Sequence, residues 1–244
     1  IAFSGGVDSA FLLWTAKEAL RQLQLSKGLL ALTAVSDSMA QVERDDALGF
    51  SKSLQIEHLW IESSELENPL YAQNDGNRCY HCKSELFRIG WDVSKKYGLK
   101  WLAYGYNASD RGDVRPGHRA AQENNVIAPL DDAGLSKSEI RDLMREFKLP
   151  LSEKPASPCL SSRLMTGVEV TPEKLKLVED LEAYLRANEM KVFRVRLHED
   201  EKSKWIRLEV APDEMARAVE MREGFMLKAR NHGIDRVTLD LAGY

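Results

Sequence analysis

The sequence predicts an α/β protein: a parallel, doubly wound sheet with helices on both faces, followed by a smaller C-terminal α+β domain. Three observations carry this. Apolar runs alternate with helical stretches through the first 150 residues, the pattern of βαβ units. A stretch rich in Pro and Ser, residues 149–162, then interrupts the alternation. Beyond it, runs such as Val192-Phe193-Arg194-Val195-Arg196-Leu197 alternate apolar and basic side chains, as half-buried strands do. The expected domains are 1–150 and 151–244, with the boundary inside the linker.

The first element is the strand Ile1-Ala2-Phe3, entered as though residues precede it. It opens into Ser4-Gly5-Gly6-Val7-Asp8-Ser9 and a helical pattern from Ala10. The glycines let backbone N–H groups crowd one point, and the helix dipole adds partial positive charge there. Such a nest takes phosphate or pyrophosphate. The loop lacks the lysine of the Gly-x4-Gly-Lys-Ser/Thr phosphoryl-transfer pattern. Asp8 beside a phosphate makes chemical sense when Mg²⁺ bridges the two. The plainer alternative is a capped helix after a glycine turn.

Residues 29–36 form the next strand, 41–54 a helix and 56–61 a third strand. A helix over 83–97 leads to the strand Trp101-Leu102-Ala103-Tyr104-Gly105. Ligands of such sheets sit at the carboxyl ends of the strands. The opening loop, Ser36-Asp37 and Gly105-Tyr106-Asn107 are therefore expected to line one crevice. Ser136 and Glu139 form a capping box that opens a helix through Phe147, stopped before Pro150. Past Thr171-Pro172 come a helix to about Asn188, strands at 192–197 and 206–210, a helix over 213–222 and a last strand at 235–241.

The 244 residues are 43% hydrophobic and 30% charged, ordinary for a soluble globular chain. There is no apolar run of membrane-spanning length and no signal peptide. The net charge of −4 argues against extended nucleic-acid binding. Three cysteines are too few for a disulfide scaffold, which points to a reducing, cytoplasmic setting.

Cys79-Tyr80-His81-Cys82 falls just before a helix, where thiolates are stabilised. Together with Cys159, in Ser157-Pro158-Cys159-Leu160-Ser161-Ser162-Arg163, the pair can hold a [4Fe–4S] cluster by three irons and leave the fourth open. The alternatives are a dithiol redox pair, or half a zinc site completed by His81 that lacks its second ligand pair. Arg163, and Arg194 with Arg196 two apart on one strand face, offer a second anion site, since guanidinium groups bind phosphate bidentately. The alternative there is a solvated face with surface ion pairs. Asp110, Arg111, Gly112, Asp113 and Arg115 form a polar loop that either holds substrate or metal or is an exposed turn. The segment 79–82 follows the Asn/Gly-rich run 74–77 and is expected to be mobile when empty.

These motifs resemble the PP-loop (N-type) ATP pyrophosphatase superfamily, carried by residues 4–9. Within it the chain resembles the LarE family, through residues 78–83, 112–117, 128–130 and 154–163. The resemblance implies an ATP- and Mg²⁺-dependent sulfur transferase. Such an enzyme adenylates a carboxylate of pyridinium-3,5-biscarboxylic acid mononucleotide, releases AMP and pyrophosphate, and installs sulfur, toward a nickel-pincer cofactor. By that resemblance Ser4, Gly5, Gly6, Val7, Asp8 and Ser9 bind ATP and Mg²⁺, and Ser36 contacts the adenosine. Cys79, Cys82 and Cys159 ligate a [4Fe–4S] cluster whose sulfide is delivered repeatedly. Ser162, Arg163, Arg194 and Arg196 bind the substrate phosphate. In the family's other mechanism the cysteine of the Pro-Cys motif, here Cys159, gives up its own sulfur once. The resemblance also implies a sulfide source and a hexamer or other homo-oligomer. A tRNA thiolase of the same superfamily, an amide-forming synthetase and a non-catalytic nucleotide-binding module are the rival readings.

Overall fold

The computed structural model describes residues 1–25, 28–112 and 116–244. Asp113 and Arg115 of the expected polar loop lie outside them. In chain order the elements are α1 (Val7–Gln22), β1 (Ala31–Val35), α2 (Gln41–Ser53), β2 (His58–Glu62), α3 (Pro69–Ala72), α4 (Arg78–Lys96), α5 (Pro116–Glu123), α6 (Pro129–Asp132), α7 (Lys137–Glu146), α8 (Pro172–Ala187), β3 (Phe193–Glu199), β4 (Lys204–Val210), α9 (Met215–Glu220), α10 (Arg222–Arg230) and β5 (Val237–Leu239). The chain forms two compact units. The first comprises Ile1–Asn68 and Asn77–Ser157, the second Pro69–Gly76 and Pro158–Tyr244.

The first unit is α/β. β1 and β2 pair in parallel, Ala31 opposite His58 and Val35 opposite Glu62. The remaining strand segments are short and join by single parallel bridges. Ala2 bridges Leu32 on one side and Tyr104 on the other, and Ala103 bridges Ile127. The bridges are real hydrogen bonds: Phe3 N donates to Leu32 O at 2.8 Å, and Ala2 N to Ala103 O at 2.8 Å. Successive side chains of a strand point to opposite faces, and the core divides accordingly. Phe3, Ala31 and Ala103 join Phe11, Leu13, Phe50, Ile140 and Met144 in one cluster. Ala2, Leu102 and Tyr104 join Phe87 and Ala120 in another, and Leu30 and Leu32 meet Ile89 and Val93. Helices α1, α2 and α7 thus bury one face, α4 and α5 the other.

A polar relay crosses this packing. Thr33 Oγ1 donates to Phe3 O at 2.6 Å, so it accepts at 2.8 Å from His58 Nε2. His58 Nδ1 lies 2.8 Å from Ser51 Oγ. Burial pushes the His58 imidazole down to about 4.

The second unit carries a three-stranded sheet, β3 antiparallel to β4 and β4 parallel to β5. Val195, Leu197, Ile206, Leu208 and Val210 point inward and are buried, with Leu175, Val178, Leu181 and Leu185 of α8 and Phe225 of α10 in the same core. Residues 69–76 belong here: Val170 N donates to Ala72 O at 2.7 Å and Gly167 N to Asn74 O at 3.0 Å. Asn74 is only 2% exposed. Its amide donates to Met165 O and Val168 O, at 2.9 and 2.8 Å. Helix α10, which the sequence reading does not contain, follows directly on α9.

Candidate functional site

In the first unit the opening loop is braced by its own serines. Ser9 Oγ donates to Gly6 O at 3.0 Å and accepts from Ser4 N at 3.3 Å, and the Ser4 and Ser9 hydroxyls lie 3.2 Å apart. Gly5 adopts φ +74°, the left-handed region, and a Cβ there would sit 3.0 Å from both Ala47 Cβ and Glu43 O; only glycine fits such a turn. Gly6 occupies the N-cap of α1 and supplies no side-chain cap. The first-turn N–H groups therefore face the end of the helix, as an anion nest requires. Gly105 meets this turn from the neighbouring strand segment: a Cβ on it would lie 2.7 Å from Ser9 N and 3.0 Å from the Asp8 carbonyl carbon. Asp8 is in the first turn of α1.

The sequence reading gave Lys154 no task. Its Nζ donates to Gly5 O at 3.0 Å and pairs with Glu43 and Asp46 of α2, both at 2.7 Å, and its side chain is 9% exposed. It fastens the segment before Pro155 to the loop. Ser36, at the end of β1, donates to the buried Glu65 at 2.6 Å, and Ser38 to the same oxygen at 2.5 Å. The described part of the polar loop is a capped 3₁₀ turn. Asn107 accepts from Ser109 N at 3.0 Å, and Arg111 pairs with Asp131 at 2.5 Å.

Cys79 and Cys82 are not ahead of the helix, as the sequence suggested, but inside its first two turns, because α4 starts at Arg78. Spacing i, i+3 puts both on one face. Cys79 is exposed and Cys82 half-buried. Among the described residues, neither unit groups three or more His, Cys, Asp or Glu side chains as metal ligands.

In the second unit Cys159 is exposed and begins a 3₁₀ turn over Leu160–Arg163. The turn stands on a buried base. Ser161 Oγ meets Tyr71 OH at 2.6 Å. Arg163, 6% exposed, donates to Glu182, 2% exposed, at 2.9 Å, and to Pro158 O at 2.5 Å. In this arrangement Arg163 anchors the turn. Ser162 Oγ donates to Cys159 O at 2.7 Å, and Ser162 O accepts from Arg196 at 2.8 Å.

Arg194 and Arg196 share the outer face of β3 with His198, and β4 adds Arg207 directly opposite Arg196. The three guanidinium groups surround Glu209, at 3.9, 3.2 and 2.9 Å in that order. Burial, with Arg194 next, lowers the pKa of Arg196 from its ordinary value. Three buried nitrogens on this face, Arg194 Nε, Arg207 Nε and His198 Nε2, have no hydrogen-bond partner among the described residues. Buried donors rarely stay unpaired, and a ligand offering acceptors would satisfy these. Arg207 and Glu209 were not foreseen: the alternation at 204–210 marks a strand, but only pairing with β3 shows which arginines meet.

No family model matches the chain. An uncharacterised protein of Synechocystis is 37% identical over 246 residues, covering 100% of this chain and 88% of that protein. An uncharacterised protein of Methanocaldococcus jannaschii is 26% identical over 244 residues, 100% of this chain and 89% of that one. The pyridinium-3,5-bisthiocarboxylic acid mononucleotide synthase of Lactiplantibacillus plantarum is 27% identical over 244 residues, again 100% of this chain and 86% of the synthase.

Proposed function

We propose, from its similarity along its whole length to the Lactiplantibacillus synthase, that the chain is a LarE-type protein and an ATP-dependent sulfur transferase. Its substrate is pyridinium-3,5-biscarboxylic acid mononucleotide, one carboxylate of which becomes a thiocarboxylate. The observation that carries this reading is the cradle formed by Gly5, Gly105 and the uncapped end of α1. By their bridges the parallel segments run in the order β2, β1, Ala2, Ala103-Tyr104, Ile127, which we read as the doubly wound PP-loop arrangement. In that order the direction of winding reverses between the Ala2 and Tyr104 segments, the place where such sheets bind nucleotides.

A carboxylate is a poor electrophile, and adenylation gives its carbon AMP as a leaving group. The N–H groups of the first turn of α1, from Val7 to Ser9, would meet charge that develops as pyrophosphate departs. Asp8 would hold Mg²⁺, which when bound offsets the phosphate charge. Ser36 lies on the adenosine side. Arg194 and Arg196 hold the substrate phosphate, with Ser162 and Arg163 keeping the Cys159 turn in place.

Cys79 and Cys82, one helical turn apart with soft sulfur donors, fit two corners of a [4Fe–4S] cluster. With Cys159 they would hold three irons, and the chemistry this supplies when bound is sulfide without loss of a protein sulfur. A cytoplasmic homo-oligomer fed by a sulfide source completes the proposal. The exposure of Cys159 favours one second reading. Its thiolate attacks the adenylate, AMP leaves, and elimination of the thiocarboxylate turns Cys159 into dehydroalanine.

Anaerobic turnover with the dicarboxylate nucleotide, ATP and sulfide, followed by intact mass, separates these. We expect brown protein with about four irons per chain, repeated turnover and an unchanged mass. A single turnover with a loss of ~34 Da, one hydrogen sulfide, replaces the cluster with the sacrificial reading. No pyrophosphate release from ATP with substrate overturns both.

A further inference from the structure

We propose that His198 is a fourth member of the anion site on β3 and β4, and that it binds a phosphate monoester as an imidazolium, so that ligand binding takes up a proton. This rests on the reading that Arg194 and Arg196 hold the substrate phosphate.

His198 follows Arg194 and Arg196 at two-residue spacing on β3, so all three project from one face. Across the ladder it sits beside Trp205, with the rings stacked at 5.0 Å and 17°. The guanidinium of Arg236 covers the Trp205 ring at 4.6 Å. That stack fixes the plane of the imidazole. His198 Nε2 is buried without a partner among the described residues, as are Arg194 Nε and Arg207 Nε. Three unpaired nitrogens on one small face call for a ligand that offers several acceptors at once. The terminal oxygens of a phosphate monoester do so, whereas a phosphodiester offers fewer and a carboxylate two.

The charged groups around His198 come from every strand of the sheet. They are Arg194 and Arg196 on β3, Arg207 and Glu209 on β4, and Arg236 and Asp240 flanking β5. Glu209 is already shared by three arginines, and Asp240 pairs with Arg207 at 3.4 Å. In the empty site cations prevail, and burial, then Arg207 and Arg196, holds His198 below its ordinary value. A dianion placed among the same donors reverses that balance, because an opposite charge favours the charged form. By linkage, a rise of one unit in the pKa corresponds to about tenfold tighter binding to the protonated site. Affinity for a dianion of fixed charge therefore increases as the pH falls toward 6, over a range in which a purely arginine-lined site would not change; a phosphate monoester, which itself takes up a proton at about pH 6, shows the same gain only above that pH.

The chain carries five histidines, few enough to follow each ring by NMR, with His198→Gln assigning the resonance. Sulfate is the probe, since it keeps one charge state from pH 5 to 8. Titration of the wild-type ring should give a pKa below 6.5 without sulfate and at least one unit higher with it, and sulfate affinity in His198→Gln should lose its pH slope. An unmoved His198 pKa, with sulfate binding still lost in Arg194→Gln/Arg196→Gln, overturns the role of His198 while keeping the anion site. Sulfate binding that survives the double arginine substitution unchanged overturns the anion site itself. Ribose 5-phosphate binding no tighter than ribose overturns the phosphate assignment.

Discussion

Gly105 is the most constrained residue of the first unit, because a single methyl group would strike the backbone of Ser9. Backbone atoms at the start of a packed helix have little room to retreat. Gly105→Ala should cost about 1–3 kcal/mol and abolish ATP-dependent pyrophosphate release. Gly49→Ala is the control: nothing lies within 4 Å of that position in α2, so its melting temperature should hold or rise. Equal behaviour of the two variants would refute the close-approach argument. In the second unit Arg163 and Glu182 form a buried pair. Arg163→Met leaves Glu182 with Arg186, 3.6 Å away, as its remaining cation among the described residues, beside the Val195 N–H at 3.3 Å, and should cost about 3–5 kcal/mol in urea unfolding. Arg163→Met/Glu182→Leu should recover most of that loss, and failure to do so would mean that packing, not charge, is what the pair supplies. Sequence reading found Gly105 and Arg163 as residues but not these partners. Ser9 is 96 positions from Gly105 and Glu182 is 19 from Arg163, and neither separation follows a helical or strand period.

Elements with local signals were legible. The capping box that opens α7 forms as read, Ser136 Oγ accepting from Glu139 N and Glu139 reaching back to Ser136 N at 2.8 Å. Ser136→Ala should cost about 1 kcal/mol, readable as a small drop in melting temperature; an unchanged value would show that α7 is held by Ile140 and Met144 alone. The start of α4 was placed five residues late because Cys-Tyr-His-Cys resembles no helical pattern, and only the packing of Phe87, Ile89 and Val93 carries the helix back through it. Helix α10 was missed because Gly224 stands in its first turn, where glycine reads as a stop. Gly224 is there for space: a Cβ would lie 2.1 Å from the Tyr184 hydroxyl.

At the scale of the whole molecule, acid stability passes through His58. In the folded protein it stays neutral down to about 4, held there by burial, while in an unfolded chain it protonates near 6.5. The unfolded state thus binds the proton first, and stability is lost as the pH falls from about 6.5 toward 4. Urea unfolding at pH 7 and pH 4.5 should show the decline, and His58→Gln should flatten part of it; an identical decline in the variant would assign the effect to other groups. The overall order of strands and helices was readable because each βαβ step announces itself locally. The assignment of residues 69–76 to the second unit was not, since Asn74 earns its burial from backbone some ninety positions later.

That excursion constrains how the chain is made. A ribosome releases residues 69–76 long before it has synthesised the carbonyls of Met165 and Val168 that receive the Asn74 amide. The nascent α/β portion must therefore carry an unsatisfied insert while some ninety further residues are made, and the later portion closes by capturing it. Neither part can be transplanted as a contiguous gene segment. A product ending at Ser157 would keep the phosphate loop together with a stranded strap, and residues 158–244 alone would begin life with a hole where Tyr71 and Asn74 belong.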